Sequence, residues 1–329
     1  MKINILSIEK HLSENKISSE TLDILANGTK GRIEKNTGVK FRHRFSESAT
    51  VAEIGSIVLK KALAKANLHP SDIDLLIFAG ASYDYPVPHN SVIIKSKITD
   101  DSVNFACMDI DTTCLSFLNA LDVAHLYLQA GRYKRIAIVS VEISSKTLKP
   151  HDEKVFGLFG DASVAMIIEA SITKGYSCSY VDFENYPSGA LLAHIPIGGL
   201  VNQGIYASPS DIGYCFKMDG KKLIRLTLEH LDPFVDKIEQ QTKTKLIDFD
   251  FILTHQTSKF GNEYFLKTFN LNKEKVIETL SVYGNCISVS IPLGLEKLLE
   301  NNTNITNKKV LILGTAAGLS LGAMVLEFE

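Results

Sequence analysis

The chain of 329 residues lacks strong charge of either sign: its net charge is −2. No bulk attraction to nucleic acid or to an anionic membrane surface follows from such a balance. It lacks long hydrophobic runs as well, and none approaches the roughly 20 residues of a membrane span. The stretch from Met1 to Lys10 is briefly apolar, but its base and acid come too early for a secretory signal, and a first β-strand is the expectation. Cysteine is sparse: Cys107, Cys114, Cys178, Cys215 and Cys286 form an odd set without paired metal-ligand spacing. That excludes a disulfide scaffold or a zinc-ribbon pattern and points to a reducing cytoplasm and no metal. Arginine is scarce too, 6 against 29 lysines, which reflects genome composition more than mechanism.

What is present is apolar bulk. At 45% hydrophobic residues the chain can bury a large core, in one domain of double size or two intimate ones. Apolar residues at helical spacing (Val51, Ile54, Val58, Leu59, Leu63) predict a helix over 48–66. Short buried strands are expected at 75–80, 103–109, 135–144, 162–170, 250–254, 309–314 and 320–328. Further helices are expected over 114–130, closed by Gly131, over 222–240 with a break at Pro233, over 259–269, and over 288–300 with Pro292 in the first turn. Strands alternating with helices argue for mainly parallel sheets covered by helices. The rhythm repeats, so a duplicated α/β unit is expected, with halves at 1–170 and 171–329. Residues 182–213, with Pro187, Pro196 and Pro209, lack periodicity and read as an excursion over an entrance or at a subunit contact.

Three polar residues sit where apolar runs give way to possible helices. Cys114 lies in Thr112-Thr113-Cys114-Leu115-Ser116-Phe117, at the end of a strand and the start of an apolar helix. A helix N-terminus favours a thiolate. Taken alone the residue fits a packed core thiol as well as a reactive one. His255 follows Phe251 to Thr254, and a neutral imidazole there could donate to a thioester carbonyl that becomes an enolate; a satisfied strand-end histidine is the plainer reading. Asn285, in Tyr283-Gly284-Asn285, is a turn residue by default and a second donor to the same oxygen in the functional reading. The glycine turns Phe159-Gly160-Asp161-Ala162 and Gly314 to Gly318 fit close backbone packing, and neither resembles a phosphate loop.

These segments, in this order and spacing, resemble the thiolase superfamily and most closely β-ketoacyl-acyl carrier protein synthase III. The resemblance runs through Lys35 to Lys40, Asp72 to Ile77, the Cys114 segment, Phe159 to Ala162, His255-Gln256, Tyr283 to Asn285 and Gly318 to Ala323, and so spans the chain. It implies a five-layered αβαβα fold from two duplicated halves, a cytoplasmic homodimer, and a Cys114, His255, Asn285 triad. It also implies an oxyanion hole from the backbone N–H groups of Cys114 and Ala317. Substrates would be thioesters of coenzyme A or acyl carrier protein, with no cofactor. The departures concern the surroundings of the nucleophile. Ser116 replaces a usual glycine, Thr257-Ser258 replace Ala-Asn after His255-Gln256, and Asn36 stands where an arginine often binds coenzyme A. The acyl pocket is expected at Phe159 and at Val87, a small gate that would admit a longer chain. Asn36, Ser258, Lys221, Lys222 and Arg225 are the candidate carrier contacts, with Lys217 close by; for the basic residues a solvated face is the plainer reading.

The resemblance implies ping-pong chemistry: acylation of Cys114, then decarboxylative condensation with a malonyl- or β-ketoacyl-type thioester. The departures point to specialised lipid or polyketide biosynthesis rather than housekeeping initiation. Acyl transfer without carbon–carbon bond formation, non-decarboxylative condensation, and a silent subunit of a heterodimer stay open. A degradative thiolase is disfavoured because no cysteine follows Cys286. A hydroxymethylglutaryl-type synthase would need an acid near the nucleophile, for which Asp84 is the candidate.

Overall fold

Nine strands share one hydrogen-bonded sheet in the computed structural model, which describes residues 1–149, 153–202, 212–302 and 304–329. They are β1 (Lys2–His11), β2 (Leu75–Ala79), β3 (Ala106–Ile110), β4 (Arg135–Glu142), β5 (Ala162–Ser171), β6 (Tyr176–Asn185), β7 (Phe251–Thr254), β8 (Lys309–Ala316) and β9 (Ser320–Phe328). The spatial order is β7-β8-β9-β6-β1-β5-β4-β2-β3. Read outward from the β1–β6 pair, each half places its strands in the same sequence, and a bridge from Ile252 to Val276 marks the place where the second half would hold the counterpart of β3. The halves join through a single register pair, Ile3 with Tyr176.

The pairing is mixed rather than mainly parallel. β2–β3, β2–β4 and β7–β8 are parallel, and the remaining neighbours are antiparallel. β8 runs into β9 through a short turn with no crossover helix, so those two pair antiparallel.

Five helices supply the other layers: α1 (Val51–Ala66), α2 (Ser116–Gln129), α3 (Gly220–Thr242), α4 (Lys259–Thr268) and α5 (Ser290–Asn301). α1 starts where a capping box ends the preceding coil: Thr50 Oγ1 accepts from Glu53 N, and the Glu53 carboxylate accepts from Thr50 N, both at 3.2 Å. Its apolar stripe, with Val58 and Leu59 essentially unexposed, covers one face of β2, β4 and β5. Each such side chain contributes roughly 1.5–3 kcal/mol on burial. α3 covers β8 and β9 in the same manner through Leu231, Phe234, Val235 and Ile238. Between them α2 and α5 share a core with strands of both halves, including Ile77, Ile138, Ile312 and Met324. The layers are therefore α1, sheet, α2 with α5, sheet, α3: the expected αβαβα arrangement.

Several boundaries differ from expectation. α3 runs unbroken through Pro233, which tolerates the missing N–H because apolar residues on both sides of it anchor the helix to the sheet. Pro292 is the third residue of α5 and so lies in its first turn. Residues 182–185 belong to β6, so the irregular excursion begins only after Asn185; Pro209 lies outside the described residues. Among the described residues, no helix is long and apolar enough to cross a membrane.

Candidate active site

The nucleophile candidate sits on a tight turn between β3 and α2. Asp111 Oδ1 accepts from Thr113 N at 2.8 Å, and Leu115 N closes a 3₁₀ turn onto Thr112 O at 3.2 Å. Thr113 takes a positive φ of 52°, uncommon for a β-branched residue. Ser116 locks the turn: its Oγ accepts from Thr112 N at 2.9 Å and donates to Thr113 O at 2.7 Å. Ser116 is fully buried, so it shapes the backbone and does not face a substrate. The turn aims the Cys114 sulfur into a cavity, with the backbone N–H groups of Ala317 and Cys114 in hydrogen-bonding reach of it.

The resting thiol is not the thiolate that a helix N-terminus favours. α2 begins only at Ser116, and burial, then the neighbouring charge of Glu142, push the Cys114 thiol up to about 12. The two backbone N–H groups act in the opposite direction and are outweighed. A base is needed to remove this proton.

His255 is placed by β7, whose parallel pairing with β8 carries on through His255 N to Leu313 O at 2.9 Å. Its Nε2 lies 3.2 Å from Asn285 Oδ1. That oxygen also accepts from Ile287 N at 2.9 Å, which fixes the side-chain amide and leaves its NH₂ as the free donor. The imidazole therefore donates through Nε2. Burial lowers the His255 pKa, so the ring is neutral at neutral pH; Asn285 and then the Thr315 backbone oppose the shift by favouring the charged ring. Nδ1 is buried and has no hydrogen-bond partner at rest.

Asn285 is held by the glycine turn before β5. Its N donates to Leu158 O at 2.9 Å, and Gly160 N donates to its O at 3.1 Å. A Cβ on Gly160 would come within 2.1 Å of Tyr283 O, so this approach requires glycine. Gln256 is not a cavity residue: its Oε1 accepts from Thr279 N and Leu280 N at 2.9 and 2.8 Å and ties β7 to the segment leading to Asn285.

Cys114, His255, Asn285, Phe159 and Ala317 all line one cavity of about 940 Å³. Phe159 meets Phe216 edge to face, at 5.4 Å between ring centroids, on its wall. An outer cavity of about 840 Å³ shares Leu158, His194, Ser258 and Phe260 with the first and adds Asn36, Lys217 and Lys221. Three of the five carrier candidates, Asn36, Lys221 and Ser258, thus line one cavity. Ser258 also caps α4 by accepting from Gly261 N at 3.2 Å, which leaves its own O–H to donate. Lys222 is exposed and pairs with Asp219 at 3.3 Å, and Arg225 lines neither cavity. Val87 is 81% exposed and does not line the chain's own pocket; Tyr83 and Pro86 of the same loop do.

Asp84 lines the cavity, but both its oxygens accept from the first N–H groups of α1, Val51 at 2.7 Å and Ala52 at 2.9 Å. It is a helix cap, not a free acid. The acid beside the nucleophile is Glu142, which the sequence reading passes over. It is fully buried at the end of β4 and accepts from Ala81 N (2.9 Å), Ser82 Oγ (2.6 Å) and Ser288 Oγ (2.5 Å). Burial raises its pKa against those three donors, and Asp111 adds to the rise. A lone carboxylate closing the apolar run Ile136 to Val141 is the sequence signal that would have found it.

The chain matches the family models described as 3-oxoacyl-[acyl-carrier-protein (ACP)] synthase III, over residues 108–187, and its C-terminal part, over residues 240–328, together just over half of its length. It is 26% identical to the β-ketoacyl-[acyl-carrier-protein] synthase III of Clostridium acetobutylicum, across 99% of this chain and 98% of that one. The crystal structure of the Aquifex aeolicus 3-oxoacyl-[acyl-carrier-protein] synthase III superposes with a TM-score of 0.86 at 22% identity, covering 99% of this chain and 100% of that one. The priming β-ketosynthase of the R1128 polyketide pathway superposes with a TM-score of 0.87 at 21% identity, covering 99% and 96%. The chain belongs to the 3-oxoacyl-[acyl-carrier-protein] synthase III family of condensing acyltransferases.

Proposed function

We propose that Cys114 takes an acyl group from a thioester and that His255 and Asn285 then direct its decarboxylative condensation with a malonyl- or β-ketoacyl-type thioester of coenzyme A or acyl carrier protein. The observation that carries the reading is that a thiol, a neutral imidazole and a free amide donor line one cavity, the last two in contact with each other. In the first step the thiol proton passes to His255 as sulfur bonds to the acyl carbon. The Cys114 and Ala317 N–H groups hold the oxyanion, and the departing thiolate takes the proton back. In the second step carbon dioxide leaves the malonyl-type group, and the electron pair of the broken bond becomes an enolate facing His255 and Asn285. The enolate carbon attacks the acyl-cysteine, the carbon–sulfur bond breaks, and the Cys114 thiolate takes a proton from solvent.

The cavity's size, with Phe159, Phe216 and Leu148 among its walls, fits a medium or long acyl chain and a role in specialised lipid or polyketide biosynthesis. The outer cavity at Asn36 and Lys221 suits the carrier's arm. β3 is an edge strand whose outer side is unpaired among the described residues, which fits a homodimer joined there. A cytoplasmic setting agrees with the free cysteines. Asp111 favours one second reading. Its carboxylate lines the cavity next to the nucleophile turn, as a non-decarboxylative condensation would need for its base.

Incubation with acyl-coenzyme A thioesters of increasing length, followed by intact mass, tests the loading step. The expected result is one acyl group per chain, absent in Cys114→Ala; an adduct that survives in that variant overturns the assignment. Carbon dioxide release from a malonyl thioester should fall about 10²–10³-fold in His255→Ala and in Asn285→Ala. Product formed without that release, and lost in Asp111→Asn, would select the second reading.

A further inference from the structure

The cavity wall beside Cys114 holds a hydroxyl with no nitrogen or oxygen partner among the described residues. Thr113 Oγ1 is buried, and no nitrogen or oxygen accepts from it or donates to it. Thr113 lines the same cavity as Cys114 and is its immediate neighbour on the 3₁₀ turn. An unpaired buried hydroxyl is costly unless some state of the protein uses it. Hydrogen bonds within the turn do not use it: Thr113 N goes to Asp111 Oδ1, and Thr113 O accepts from Ser116 Oγ. Its backbone is thus fully committed, and the side chain is held in place with its donor free.

We propose that Thr113 is a third hydrogen-bond donor to the sulfur of Cys114, beside the backbone N–H groups of Cys114 and Ala317, engaged whenever that sulfur carries negative charge. A neutral thiol is a weak acceptor, so the hydroxyl has little to bond at rest. A thiolate is a strong acceptor. The interaction is therefore worth more in the charged state than in the resting one, as a catalytic contact must be. Sulfur bears charge twice in the cycle, as attacking nucleophile and as the group expelled from the acyl-enzyme, and one fixed donor serves both. The direction agrees with the Thr113 side chain favouring the deprotonated form of Cys114. The hydroxyl keeps its own proton throughout and takes part in no bond exchange.

The proposal rests on Cys114 being the nucleophile and is tested without acyl substrate, so the two can fail separately. Alkylation by iodoacetamide at pH 8 is followed at the Cys114 peptide by mass spectrometry. Thr113→Val keeps the branched shape and removes the donor; alkylation should slow roughly tenfold or more. Thr113→Ser keeps the donor and removes the methyl; its rate should stay within about threefold of the wild-type chain. Equal rates for Thr113→Val and wild type, or a Thr113→Ser variant as slow as Thr113→Val, overturn the proposal. Melting curves accompany each variant, and Thr113→Ala, with the same expected slowing, replaces Thr113→Val if that chain does not fold.

Discussion

Two turns pack against each other in the middle of the molecule, Thr112 to Ser116 and Cys286 to Ser290. Both leave the strand side through a β-branched residue at positive φ, Thr113 at 52° and Ile287 at 51°. In both, a backbone N–H three residues on closes a 3₁₀ turn: Leu115 onto Thr112 O, and Val289 onto Cys286 O. A serine hydroxyl then accepts from the turn's first N–H, Ser116 from Thr112 at 2.9 Å and Ser290 from Cys286 at 3.0 Å. A helix follows each, α2 and α5. On this correspondence Cys114 pairs with Ser288. Each turn also packs against the other half's strand, the first on β8 and the second on β4.

The decoration is what differs. The end of β8 presents Ala316 and Ala317, small residues whose backbone leaves room at Cys114 and directs an N–H to its sulfur. The end of β4 presents Glu142, which fills the equivalent place and takes the proton of Ser288 in a hydrogen bond. One turn is open with donors waiting, the other plugged by a carboxylate. The backbone strain of a β-branched residue at positive φ, roughly 1–2 kcal/mol, is common to both and so belongs to the duplicated fold rather than to catalysis. The chemistry follows from which side chains surround the turn.

Exchange is the harshest way to break this comparison. Cys114→Ser combined with Ser288→Cys should carry no acyl group at all by intact mass, because Ser288 is fully buried behind Glu142. Acylation at position 288 would show the two turns to be chemically alike. A smaller effect is expected when the plug loses its charge. Glu142 holds the Cys114 thiol up, so neutral Gln in Glu142→Gln lowers the thiol's pKa and enlarges the thiolate fraction at any fixed pH below it. Alkylation of the Cys114 peptide at pH 8 should speed up severalfold, and a slowed reaction would mean that Glu142 acts by packing alone. The smallest effect sharpens the geometric equivalence: Ser116→Ala and Ser290→Ala each remove the hydroxyl that accepts from the turn's first N–H and should cost about 1 kcal/mol, a melting shift of about 1–2 °C. A loss confined to one of them would show that the two turns are not held alike.

The layers were legible because apolar runs and helical stripes mark buried elements whatever their neighbours, as in β2, β4 and α1. The three candidates were legible because Cys114, His255 and Asn285 all stand at element ends within recognisable segments, and the fold brings them to one cavity. Pairing sense was not legible, since the direction of β5 and β9 depends on what they lie beside. Pro233 misled because the packing of Phe234, Val235 and Ile238 outweighs one missing N–H. Ser116 proves to lock its turn and Ser258 to cap α4 while also lining the cavity, roles set by partners near in sequence but invisible without coordinates. Glu142 was passed over because its meaning lies in Ser288, 146 residues away.

The seam between the halves has a consequence for how the protein comes to life on the ribosome. Cys114 belongs to the portion synthesised first, whereas His255, Asn285 and Ala317 belong to the portion synthesised last. A nascent chain that has made only β1 to β5 carries the Cys114 thiol with neither His255 nor the Ala317 N–H. On the proposed role of Cys114, reactivity toward thioesters would arrive only when the two halves have packed together.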